Sequence, residues 1–238
     1  LNLNVLGVAL GTLISSYITV IIFLIFTYFF ISKKFQIIPK LEKLIVPTKL
    51  FKLFNINFDI FIRTFFLTFS FLWFTYIGSK LGEDYLAVNT ILMQFVVFAS
   101  FFLDAYAFST EGIIGFTIGR KNKKSFLTVV KNSIQLSFLT ALMVSILYLI
   151  FFKQIINTIT DVEILRYISY KHFLWILVIP SIASFCYQLD GIFIGATQTR
   201  EMRNAMMISV VSFIIISIYL TKYLGNHGLW FSLLLFML

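Results

Sequence analysis

Six long apolar runs and the start of a seventh follow one another along the chain, separated by short polar stretches. Val5 to Ile31 carries no charge, and a second run has Asp59 and Arg63 at its mouth and ends near Lys80. The third, Tyr85 to Gly119, is interrupted only by Asp104 and Glu111, and the fourth, Asn132 to Phe152, is uncharged. His172 to Gly195 holds Pro180 and Asp190, Asn204 to Thr221 is the sixth run, and a seventh opens at Gly228. A helix needs about 20 mostly apolar residues to cross a bilayer. Barrel strands would be about half as long and would alternate apolar with polar positions. The pattern therefore predicts an all-α polytopic membrane protein with about seven transmembrane helices.

Composition agrees: 60% of the 238 residues are hydrophobic, 12% are charged, and Phe alone contributes 30. A soluble domain with that much apolar surface would expose large patches and aggregate, whereas lipid covers them. The net charge of +9 does not point to nucleic acid, because the cations lie between apolar runs rather than on one face. They cluster instead at alternate connections. Lys33, Lys34, Lys40, Lys43, Lys49 and Lys52 follow the first run, Arg120, Lys121, Lys123 and Lys124 the third, and Arg200 and Arg203 the fifth. The positive-inside rule puts these in the cytoplasm, so the chain starts outside and alternates. The other connections are leaner: Lys80 beside Glu83 and Asp84, a longer loop with Lys153, Asp161, Glu163, Arg166 and Lys171, and Lys222 alone. The chain opens at Leu1 without Met and ends at Leu238 inside an apolar run, the expected picture of a protein truncated at both ends.

The stretch from Lys33 to Asn57 contains Pro39 and Pro47 and mixes Lys with Leu, Ile and Phe. Pro39 to Leu44 could form a short interfacial helix whose lysines meet anionic lipid heads; the alternative is a long loop with a few apolar residues. Such a linker suits a boundary between two helix bundles.

Three intramembrane acids, Asp104, Glu111 and Asp190, carry the functional signal. A carboxylate at mid-bilayer costs roughly 2.5–3.5 kcal/mol on insertion scales, so such groups line a cavity or cross-bond helices. Asp104 and Glu111 are two turns apart and share a side of their helix, with Ala105, Ser109, Gly112, Gly115 and Gly119 on or beside that face to permit close contact. Asn89 and Gln94 would add polar lining. Tyr187, Gln188 and Asp190 form a second polar cluster, followed by Gly191 and Gly195, and Pro180 should kink the same helix and could serve gating. Asp59 and Arg63, four residues apart at a cytoplasmic helix mouth, are expected to pair with each other. The lone Cys186 excludes an intrachain disulfide, and His172 and His227 have no partner at ligand spacing, so no metal or other cofactor is expected. No Walker motif or nucleophile elbow occurs, so the chain does not read as an enzyme.

Several of these segments resemble one family. Phe54-Asn55-Ile56-Asn57-Phe58-Asp59-Ile60-Phe61-Ile62-Arg63-Thr64 is similar to the start of the seventh helix in the DinF branch of the MATE (multidrug and toxic compound extrusion) transporters. The likeness continues through Gly78-Ser79-Lys80-Leu81-Gly82, Leu103-Asp104-Ala105-Tyr106-Ala107-Phe108, Glu111, and Leu189-Asp190-Gly191-Ile192-Phe193-Ile194-Gly195-Ala196-Thr197, to Leu224-Gly225-Asn226-His227-Gly228-Leu229-Trp230. The resemblance implies a twelve-helix, two-lobe transporter. Residues 1–31 would be the last helix of the N-terminal lobe, 32–56 a cytoplasmic linker, and 57–238 the C-terminal lobe with its last helix incomplete. It implies a secondary antiporter of the bacterial inner membrane that exports amphipathic or cationic organic compounds by alternating access, in exchange for protons or sodium. Asp104, Glu111 and Asp190 would then be the cation-coupling or substrate-binding residues of this lobe. In this branch a principal proton-linked aspartate is attributed to the first helix, which this chain lacks. The partners would be small organic substrates and membrane lipids, no nucleic acid, and the full-length protein would be a monomer. A flippase or exporter of lipid-linked precursors is the alternative. Such a protein would show a more cationic cavity, whereas the membrane charges here read as acids.

Overall fold

The computed structural model describes residues 4–35 and 46–238, and among these every regular element is a helix. In order they are α1 (Asn4–Phe35), α2 (Pro47–Lys80), α3 (Glu83–Gly119), α4 (Lys123–Ile159), α5 (Glu163–Lys171), α6 (Phe173–Gly195), α7 (Thr199–Leu224) and α8 (Asn226–Phe236). Six are long and apolar enough to cross a membrane: α2, α3, α4, α6, α7 and the stretch Ala9–Phe30 of α1. With the shorter α8 they account for the seven runs of the sequence. The interfacial helix or loop expected at Pro39 to Leu44 lies outside the described residues. The chain divides into two compact units, Leu1–Leu53 and Phe54–Leu238. In the first, nearly every side chain of α1 from Ala9 to Phe30 is exposed, as suits an uncharged lipid-soluble helix.

The helices outrun the apolar stretches that announce them. Pro47 opens α2 ten residues before Asn57, at the first helical position, where its missing N–H is no loss. The expected linker 32–56 is therefore helical at both its ends, up to Phe35 and from Pro47. At 34 residues, α2 is about 50 Å long by its rise per residue, well beyond the roughly 30 Å of hydrocarbon, so its lysine-bearing turns stand outside the apolar layer. A second difference is α5. The segment read as a loop is a nine-residue helix, too short and too charged to register as a span. Arg166 fastens it by donating to the carbonyls of Thr160 (2.7 Å) and Asn157 (3.0 Å) and to Asp161 (3.0 Å).

Two of the connections at the basic ends share one closure. After α3, Lys121 at φ 53° lets its N–H and that of Asn122 bond back to Ile118 and Thr117; after α6, Thr197 at φ 56° does the same with Gln198 to Ile194 and Phe193. Asn122 then caps α4, accepting from the Ser125 N–H at 3.0 Å. The α7–α8 turn needs Gly225, whose φ of 56° with ψ of −136° suits no side chain.

α3, α4 and α6 pack tightly together, and α7 packs on α8. The core holds Phe74, Leu92, Phe95, Tyr148, Phe152, Ile176, Ile179, Phe213 and Trp230. Pro180 sits buried inside α6 without ending it. Ser145 of α4 donates to the Leu177 carbonyl at 2.8 Å, one turn before the proline, the kind of side-chain bond that makes a proline tolerable in lipid. At the other ends of the helices from the basic connections, His172 and His227 stack with ring centroids 4.2 Å apart. The sequence reading, which treated them as isolated, missed this pair. His172 Nδ1 lies 2.8 Å from the Ile168 carbonyl, and burial pushes His172 below its ordinary value, aided by the neighbouring His227 and Lys171 against that hydrogen bond. Stacked rings direct their nitrogens side by side rather than towards one ion.

α3 and α6 cross with their backbones in close approach. A Cβ on Gly191 would run into the Ala107 backbone, and one on Gly195 into the Glu111 carbonyl and Ile114. On α3 the contact stripe is thus Ala107, Glu111 and Ile114. Of the small residues expected there, Gly115 approaches Gly195, whereas Ala105, Ser109, Gly112 and Gly119 are exposed. This fixes a paired expectation for the protein in its membrane. Gly191→Ala should cost about 1–3 kcal/mol by overpacking against backbone. Gly112→Ala, where nothing lies within 4 Å, should be neutral or slightly stabilising. Thermal unfolding in detergent reads both, and equal midpoints for the two variants would refute the crossing.

Candidate functional site

The register of that crossing positions the acids. Gly191 meets Ala107 and Gly195 meets Glu111, so both helices advance by four residues together and run in the same direction. Asp104, one turn before Ala107, lies on the same stripe as Glu111 and level with Tyr187 on α6; Tyr187 also faces Ser100. Asp190 directly precedes Gly191. Asp104, Tyr187, Asp190 and Glu111 are all partly exposed in this bundle, whereas Gln188 is fully buried. Gln188 accepts from the Thr110 hydroxyl at 2.9 Å, and its Nε2 has no partner among the described residues.

The helix α2 supplies what the sequence reading did not foresee. Asp59 and Arg63 do not pair with each other. Arg63 forms an ion pair with Asp190 on α6, and Asp59 forms one with Arg203 on α7. Thr199 adds a hydrogen bond to Asp59 at 3.2 Å, and Arg203 also donates to Asn204 at 3.0 Å. Four residues apart, Asp59 and Arg63 lie on one face of α2 and reach two different helices, so each finds a better partner across the bundle than along its own helix. The expectation that the membrane charges are all acids is corrected as well. Arg63 lies a turn deeper than Asp59, only 16% of its side chain is exposed, and Asp104, Cys186 and Tyr187 interact with it electrostatically. Arg63, Asp104 and Asp190 thus form one cluster, with Tyr187 beside it.

Two residues expected to line a cavity lie elsewhere. Asn89 is buried in a clamp. Its amide donates to Asn226 at 2.8 Å, and its Oδ1 accepts from Asn226 (2.9 Å) and from the Trp230 indole (2.9 Å), tying α3 to α8. Gln94 is exposed on α3. Between α2 and α7 a groove of about 580 Å³ is lined by Phe61, Phe65, Phe66 and Met207, with Arg203 and Asn204 among its walls.

The described residues thus form a bundle of helices long enough to cross a membrane, with a charged cluster at a glycine-bound crossing. The MatE family model matches residues 60–222, and the chain belongs to this family of transporters. It is 32% identical over 237 residues to DNA damage-inducible protein F of Escherichia coli (strain K12), covering 100% of this chain and 51% of that protein. The chain thus spans about half the length of this curated relative. Among solved structures, an outward-facing multidrug resistance MATE family transporter superposes with a TM-score of 0.72 at 18% identity, over 78% of this chain and 42% of that one. A MATE protein in the bent conformation does so with a TM-score of 0.71, also at 18% identity and with the same coverage. A MOP superfamily transporter of Pyrococcus furiosus, described as having a binding pocket of reverse polarity, gives the same 0.71, identity and coverage.

The new pairing makes a thermodynamic prediction. In the full-length protein, a double-mutant cycle of Asp59→Asn with Arg203→Gln should show a coupling of about 1–3 kcal/mol. The cycle of Asp59→Asn with Arg63→Gln should be smaller by about 1 kcal/mol or more. Denaturation midpoints of the five variants and wild type decide it, and the reverse order would restore the intrahelical pair.

Proposed function

We propose that the full-length protein is a secondary antiporter of the bacterial inner membrane that exports amphipathic or cationic organic compounds in exchange for protons or sodium. The observation that carries this reading is the cluster at the α3–α6 crossing: two carboxylates, Asp104 and Asp190, held at a contact that glycine alone permits, with Arg63 between α2 and α6. Removal from water disfavours an ionised carboxylate, and access to water favours it. A carboxylate that meets water from alternate sides therefore couples side-exposure to cation occupancy, since a ligand shifts a two-state equilibrium only by its differential affinity for the states. Tyr187 supplies an aromatic wall and a hydroxyl beside the acids. Glu111, nearer the basic ends, stands where the site would open to the cytoplasm, and the Asp59–Arg203 pair closes the adjacent seam between α2 and α7. Pro180, ten residues before Asp190, gives α6 a turn with fewer backbone bonds on which to bend.

The flippase reading gains a membrane cation in Arg63. That guanidinium is already paired with Asp190, however, and two acids outnumber it, which favours cationic cargo over phosphates.

Asp190→Asn and Asp104→Asn in the full-length transporter should insert normally and lose about tenfold or more of gradient-driven efflux, the scale of roughly 1.4 kcal/mol in the barrier. Glu111→Gln should be milder. Efflux of a cationic dye from proteoliposomes with equal folded protein, against an imposed proton or sodium gradient, measures this. Wild-type rates and ion dependence in both Asp variants would return the coupling to the other lobe.

A further inference from the structure

Arg63 is an unusual tenant of such a site. Its guanidinium is fixed on Asp190, Asp104 lies within its electrostatic reach, and its Nε is buried with no hydrogen-bond partner among the described residues. A guanidinium does not give up its proton in a protein, so this positive charge is permanent. With both carboxylates ionised the cluster carries a formal charge of −1, not the −2 that the acids alone would give.

Resting on the exporter reading above, we propose that Arg63 is a tethered counter-cation that limits the Asp104–Asp190 cluster of the C-terminal lobe to one positive charge at a time. A ligand with one cationic group brings the cluster to neutrality. A dication would leave an uncompensated charge among apolar helices, where isolated charge is costly. Arg63 is thus a specificity-determining residue: it selects by charge number, while the aromatic and apolar surroundings are indifferent to it.

The test is competition binding to the full-length transporter in lipid nanodiscs, with tetraphenylphosphonium as the monocation and benzyl viologen as the dication. Wild type should favour the monocation. Arg63→Gln, which takes the cluster to −2, should shift the affinity ratio towards the dication by about tenfold or more, and Arg63→Lys should stay within about threefold of wild type. Asp190→Asn, which brings the cluster to zero, should lose about tenfold or more of monocation affinity, and the double variant Arg63→Gln with Asp190→Asn, again at −1, should regain it. The double variant leaves no charge of the pair without its partner, so it keeps the test alive if Arg63→Gln does not fold. An unchanged ratio in Arg63→Gln, or equal monocation affinity in Asp190→Asn and the double variant, overturns the counter-cation while leaving cation export standing. Wild type that binds neither probe overturns the exporter reading and this inference with it.

Discussion

The close approach of α3 and α6 is the constraint on which the site depends. Lipid gives helices no hydrophobic reason to prefer one another over the bilayer, so their association rests on packing and on polar bonds between them. Gly191 and Gly195 let the two backbones touch at Ala107 and Glu111, and the four-residue step on each side locks their register. Once that register is set, Asp104 must face Tyr187, and Asp190 must emerge beside the contact. There it can be reached by a long side chain from the next helix. Arg63 fills that role. Among the described residues, no pair of α2 with another helix is among the close backbone packings, and long side chains bridge to it instead: Arg63 to Asp190, Asp59 to Arg203, and the Trp73 indole to Ser217 at 2.9 Å.

The same scarcity of water explains the polar residues that do not belong to the site. Asn89, Asn226 and Trp230 satisfy one another. The Tyr148 hydroxyl donates to the Phe95 carbonyl at 2.6 Å, and Ser145 serves a carbonyl in the turn before Pro180. Each bond joins two helices, so polarity inside the bundle acts as a set of cross-ties. Against that background the charged cluster stands out, because its members remain partly accessible.

Much of the architecture was legible in the chain. Runs of apolar residues located the spans because bilayer thickness sets their length, and the three intramembrane acids stood out because each is costly there. What the sequence hid was pairing. Asp59 and Arg63 look like an intrahelical pair, yet their partners lie on α6 and α7, and the Asp59–Arg203 bond spans 144 positions. No local rule reaches that far. Helix ends were underestimated because Pro47, Lys49 and Lys52 are helical but not apolar, and α5 went unseen because nine residues bearing Glu163, Arg166 and Lys171 resemble a loop. Gly112 was placed on the contact face although the stripe that meets α6 runs through Ala107, Glu111 and Ile114 instead. Periodicity gives spacing, not the direction of the neighbour. Asn89 was read as cavity lining for want of its partners 137 and 141 positions away.

The central claim is that Arg63 of α2 sits against Asp190 of α6. The direct test is cross-linking of the full-length transporter in native membranes, with Cys186 replaced, cysteines at 63 and 190, and a short bifunctional thiol reagent. A pair at 63 and 143 serves as the control, since Met143 is exposed on α4. The 63–190 pair should link rapidly, and the 63–143 pair should not link. Failure of 63–190 to link under conditions where a 59–203 pair does would take residue 63 away from Asp190 and contradict the account.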